Sequence, residues 1–81
     1  MPTFFFHLAT PDKLIVDDEG MELANIADAK NVAATTARQV IAEALEAGSE
    51  VGGYAFNVTD DTGEQVLVFE FKMLLNGAGS R

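Results

Sequence analysis

Cysteine is absent from these 81 residues, which excludes disulfide staples and thiolate metal sites. Basic residues are scarce as well. Five of them, Lys13, Lys30, Arg38, Lys72 and Arg81, are scattered against 13 acidic residues, for a formal net charge of −8. Phosphate backbones and anionic membranes demand clustered Lys and Arg, so direct binding to nucleic acid or to a membrane surface is not expected. The charge serves solubility first, and a basic protein partner stays open. Long apolar runs are missing too. Phe4 to Leu8 is far too short for a signal peptide's apolar stretch, has no basic region ahead of it, and nothing approaches a membrane span. The expectation is a soluble cytoplasmic protein.

What is present is ordinary globular composition, 48% apolar and 22% charged. A chain of this length is one domain and buries only about 60–65% of its unfolded surface. With no disulfide or thiolate metal site to help, oligomerisation is the usual remaining support for so small a core.

The most informative segment is Thr3-Phe4-Phe5-Phe6-His7-Leu8-Ala9. As a strand it sends Phe4, Phe6 and Leu8 to one face and Phe5 and His7 to the other. One face can take the protein's own helix, and the other then calls for a second cover. Thr10-Pro11-Asp12 makes a turn, Lys13–Asp17 a short β-branched strand, and Asp18-Glu19-Gly20 a second turn before Met21-Glu22-Leu23 leads into a helix.

The helix is read from about 26 to 47, some 33 Å at 1.5 Å per residue. Asn25 is its N-cap, with Asp28 three residues on, and Gly48 stops it. Ile26, Ala29, Ala33, Ala37, Val40, Ala44 and Leu45 form one stripe at helical spacing. A stripe made mostly of Ala lets the helix approach its sheet closely, so the Phe side chains must supply most of the core volume. After a loop at Ser49–Gly53, Tyr54–Thr59 alternates with Tyr54, Phe56 and Val58 inward. Asp60-Asp61-Thr62-Gly63 turns the chain into a last strand, Gln65–Lys72. Val66 and Val68 face one way there, and Leu67, Phe69 and Phe71 the other.

The order predicts an α+β two-layer sandwich, ββαββ, with one long helix on a four-stranded, mainly antiparallel sheet. Because the first and last strands are apolar on both faces, they are expected at the centre, side by side and parallel, in the order 2-1-4-3. An all-antiparallel sheet in another order is the alternative. Residues 1–75 form the domain. Met73, Leu74 and Leu75 continue the apolar run as a turn of helix, and 76–81 are expected to be a disordered tail.

The opening Met1-Pro2-Thr3-Phe4-Phe5-Phe6-His7-Leu8 resembles a family of short bacterial proteins of unknown function that typically begin Met-Pro-Arg-Tyr-Phe-Phe-His. The likeness continues through the Asp17 to Gly20 turn, Leu23 and the Ala-rich helix. It resumes at Phe56-Asn57-Val58-Thr59-Asp60 with Gly63 and ends near Phe71. Thr3 and Phe4 depart from the family's basic and Tyr residues. The resemblance implies this fold and a bacterial origin, and brings no activity, substrate or catalytic residue.

Candidate chemistry is thin. His7 is the single histidine and could serve as a general base or metal ligand beside a carboxylate. The simpler reading is a histidine packed beside Phe5 with local hydrogen bonds. Ser49 and Ser80 lie in a loop and a tail, so no nucleophilic set forms. Gly52-Gly53 lacks the pattern of a phosphate loop. The acidic groups Asp17, Asp18, Glu19, Glu22 and Asp60, Asp61, Glu64 lack EF-hand spacing and fit turn composition, although weak cation binding opens if both turns share one end of the sheet. No catalytic, cofactor-binding or metal residue is therefore assigned, and no cofactor is expected. The outer sheet face, with Phe5, His7, Leu67, Phe69 and Phe71, is the candidate interface. Coverage by Met73 to Leu75 is the alternative to a partner there. The leading expectation is a non-enzymatic, self-associating interaction module, a homodimer with room for a protein partner. The alternatives are a small ligand- or metal-dependent enzyme built on His7 and the acidic turns, and an acidic regulator of a basic protein.

Overall fold

The computed structural model describes residues 1–79, with side chains through Leu75. A seven-residue strand, β1 (Thr3–Ala9), is followed by two minimal strands, β2 (Leu14–Ile15) and β3 (Met21–Glu22). Then come the helix α1 (Ile26–Ala47), the hairpin of β4 (Ala55–Thr59) and β5 (Gln65–Glu70), and a second helix, α2 (Phe71–Gly79). The sheet runs β2-β1-β4-β5, with β3 also on β1, and every pairing is antiparallel. Helix on open sheet is the α+β two-layer architecture expected.

The helix ends where its caps dictate. The Asn25 side chain accepts the Asp28 N–H at 2.8 Å, and Gly48 takes the left-handed conformation at φ 75°. Gly48 and Ser49 N–H close on the Leu45 and Ala44 carbonyls, satisfying groups a helix end leaves open. Ala29, Ala33, Ala37 and Ala44 are buried, against Phe4, Phe56, Val58, Phe69 and Phe71. Small helix residues and large sheet residues thus divide the core as anticipated. Phe56 sits centrally, edge-on to Phe6 and 5.4 Å in ring centroid from Phe71. The stripe fails at both ends: Ile26 is 48% and Leu45 74% exposed. A 22-residue helix spans about 33 Å and a five- to seven-residue strand about 17–24 Å, so the helix ends overhang the sheet.

The expected strand order is corrected. The parallel pairing of the first and last strands does not form, because β4 lies between β1 and β5 and gives both an antiparallel neighbour. The hairpin joins the sheet as a unit, and β5 becomes an edge. Its doubly apolar pattern has two local causes. A register irregularity at Val58/Thr59 sets Thr59 opposite Gln65 and Val58 opposite Leu67, leaving Val66 as the extra residue. The strand also ends at Glu70, so Phe71 enters the core from the first position of α2. Lys13–Asp17 shortens to Leu14–Ile15, and Met21–Glu22 is an additional strand.

Two further expectations change with this. Leu67 and Phe69 pair opposite the inward Val58 and Phe56, so they face the helix; Phe71 is fully buried. These three do not belong to the outer face. Met73 to Leu75 do not cover that face either, because α2 packs beside α1, and Leu74 and Leu75 share a groove with Arg38, Ile41, Ala42 and Leu45. As for the expected tail, the backbone of 76–79 continues α2, and residues 80–81 lie outside the described residues.

Candidate functional site

The outer face of β1 carries one constellation of polar groups, built around Asp17 and His7. Its origin is a gap. β2 pairs with β1 at Leu8 and Ala9, and β3 at Thr3 and Phe4, so the backbone of Phe6 faces no strand on that side. The Asp17 carboxylate fills the gap: Oδ2 accepts the Phe6 N–H at 3.0 Å. Oδ1 accepts the N–H groups of Glu19 (3.1 Å) and Gly20 (3.2 Å), closing the turn into β3. A single side chain thus supplies the acceptor that a strand would have given Phe6, midway along the three-residue gap Phe5–His7.

His7 completes the arrangement. Its Nδ1 accepts the Asp17 N–H at 3.0 Å, and its Nε2 lies 3.1 Å from Thr59 Oγ1 on β4. A backbone N–H can only donate, so Nδ1 is the unprotonated nitrogen and Nε2–H donates to the hydroxyl. Phe5 lies parallel to the imidazole on the same face, 6.4 Å between centroids. Gly20 packs onto Phe5: a Cβ there would sit 2.7 Å from Thr3 Cγ2 and 2.8 Å from Phe5 Cε2, and the backbone is left-handed at φ 74°. Phe5 and His7 are both half-buried, partly under the protein's own turn.

Burial raises the Asp17 carboxyl, but the N–H donors of Phe6, Glu19 and Gly20 outweigh it and hold the group below its ordinary value of 3.8. A depressed carboxylate whose two oxygens are occupied is a poor proton acceptor. With both ring nitrogens of His7 also engaged, the pair ties β1 to the turn into β3 and to β4.

The second acidic turn is likewise self-contained. Asp60 Oδ1 accepts from Thr62 N–H, Thr62 Oγ1–H and Glu64 N–H at 2.6–3.0 Å. The Thr62 hydroxyl is the largest influence lowering the Asp60 carboxyl. Both acidic turns do lie at the end of the sheet where β1 begins, since Phe5 is opposite Thr59 and touches Gly20. Even so, no group of three or more His, Asp or Glu among the described residues is arranged to hold a metal ion. Nor is any described helix long and apolar enough to cross a membrane.

Of the sequence-based candidates, the structure therefore leaves Phe5 and His7 on the outer face. Beside them are Val68, which is 45% exposed, and the smaller Ala9, Ala55, Asn57 and Thr59. Sequence reasoning missed the apolar corner where the helices meet, with Leu45 (74%) exposed beside Ile41 and Leu75. It also missed the partnership of Asp17 with Phe6. An Asp directly after a β-branched run and three residues before a Gly was the available signal.

No curated protein and no solved structure matches this chain. The sequence model of a domain of unknown function, DUF6894, matches residues 3–72, which takes in every element described except most of α2. The chain belongs to the DUF6894 family.

Proposed function

We propose that this protein is a non-enzymatic interaction module that works as a self-associated species, most simply a homodimer. One observation carries the reading: among the described residues, a core of ten buried residues leaves an equal number of large apolar side chains exposed, including Leu45, Met73 and Val68. Apolar surface on that scale in a small domain is what association covers. The engagement of both His7 nitrogens and both Asp17 oxygens within the fold supports a binding role over a catalytic one. The cysteine-free chain and the resemblance of its opening residues support a bacterial cytoplasmic setting.

Light scattering behind a sizing column, over a range of loading concentrations, tests the reading. A mass of twice 8.7 kDa that falls toward 8.7 kDa on dilution is expected. A strict 8.7 kDa species at every concentration overturns it.

A second reading rests on the acidic turns at one end of the sheet, with Asp18, Glu19, Asp61 and Glu64 exposed. That end suits a basic protein, and such a complex would weaken steeply with salt. A salt-independent affinity would dismiss it.

A further inference from the structure

We infer that the second copy joins at the β5 edge, with β5 pairing antiparallel to itself about a two-fold axis at Val68. This rests on the self-association proposed above and names its surface.

The direction of the backbone groups comes first. Phe71 N–H donates to the Tyr54 carbonyl at 3.0 Å, in the same register that sets Phe69 opposite Phe56 and Leu67 opposite Val58. Amide and carbonyl directions alternate along an antiparallel strand. Leu67 and Phe69 therefore direct both groups, and Phe71 its N–H, to β4, while Val68 directs both groups and Glu70 its N–H away from the sheet. No described strand lies beyond β5. The six-residue strand is thus a template for another chain.

The register follows from parity and charge. Directly opposed residues share a face, so a symmetric pairing must centre on a residue and not between two. Within Gln65–Glu70, centring on Leu67 or on Val68 gives the longest overlap. The Leu67 centre sets Glu70 opposite Glu64 of the second copy, two carboxylates face to face. The Val68 centre sets Glu70 opposite the uncharged Val66 of the second copy instead, and so avoids that repulsion. Charge thus selects Val68. At that centre the two Val68 side chains, exposed in the single chain, meet on the outer face. The two sheets join into one.

Val68→Lys and Val68→Asp test this as a pair, since position 68 faces itself only in this register. Each variant alone is expected to lose the dimer, with the mass dropping from twice 8.7 kDa to 8.7 kDa at a concentration where the unmodified chain is dimeric. An equimolar mixture is expected to regain it. Circular dichroism of each variant, unchanged from the parent, shows that the exposed position has not disturbed the fold. Leu45→Asp, on the helix corner, is expected to leave the dimer intact. Dimers that persist in both Val68 variants, a mixture that stays monomeric, or dissociation by Leu45→Asp alone would each overturn the β5 pairing. All three would leave self-association standing, whereas a monomeric parent chain would remove both readings.

Discussion

The two edges of this sheet are finished in opposite ways. On the β1 side the chain closes its own edge with two two-residue strands and the Asp17 carboxylate between them, held by His7 and locked by Gly20 against Phe5. On the β5 side no described strand offers cover, and the Val68 N–H and carbonyl and the Glu70 N–H point away from the sheet. Sheet edges invite pairing with other chains, and proteins blunt the ones they do not use. The lesson is that polar groups can close one edge of a sheet while the described residues leave the other without a neighbouring strand. His7 belongs to the closed side, where both ring nitrogens bond within the fold.

The closed edge should be the sensitive one. Gly20→Val forces a Cβ within 3 Å of Thr3 and Phe5 at a left-handed position, and should cost about 2–4 kcal/mol by strain and overpacking combined. Urea unfolding measures this. Gly48→Ala is the control: it shares the left-handed backbone but meets open space, so only about 1–2 kcal/mol is expected. Equal losses at the two sites would mean that Gly20 does not lock the turn.

Asp17→Ala comes next, with about 1–3 kcal/mol lost as the Phe6 N–H is left without its acceptor. Asp17→Asn should fall between, since the amide keeps one accepting oxygen where the carboxylate uses two. If both substitutions were silent, the gap between β2 and β3 would not depend on Asp17.

The same group gives the closed edge a pH dependence. Its folded pKa lies below the ordinary 3.8, so the carboxylate's contribution is complete above that value and is lost as pH falls through the folded one. The unfolding midpoint of the parent chain should drop on acidification by more than that of Asp17→Ala. Parallel curves would contradict this role of Asp17. Thr59→Val, which removes the acceptor of His7 Nε2–H, should have a smaller effect, about 0.5–1.5 kcal/mol.

The open edge should be nearly indifferent within one chain. Val68→Pro removes an N–H that has no partner in the sheet, at an edge position that tolerates proline. Monomer stability should change by no more than about 0.5 kcal/mol, while association is lost. A large loss of stability would show that the Val68 amide is engaged within its own chain.

Much of this was legible in the sequence, and the parts that were not have physical causes. The helix bounds follow from Asn25 and Gly48, local chemistry that tertiary structure does not overrule. The inward sets Phe4, Phe6, Leu8 and Tyr54, Phe56, Val58 follow from the two-residue period. Strand order did not emerge because two faces of apolar residues on β5 read as a central strand. A bulge at Val66 and the early helix start at Phe71 produce the same pattern at an edge. Leu45 and Ile26 were misassigned to the buried stripe because periodicity records which side of a helix faces the sheet and not where the sheet ends. Asp17 read as turn composition, which it is, but its second oxygen reaches Phe6, a long-range contact no local pattern reports.

Hydrogen exchange at single-residue resolution, on dilute and concentrated protein, tests the contrast between the edges most directly. The Phe6 amide should be protected equally at both concentrations, because its acceptor is in the same chain. The Val68 and Glu70 amides should exchange freely when dilute and become protected when concentrated. Exchange at Val68 and Glu70 that is independent of concentration would contradict the account.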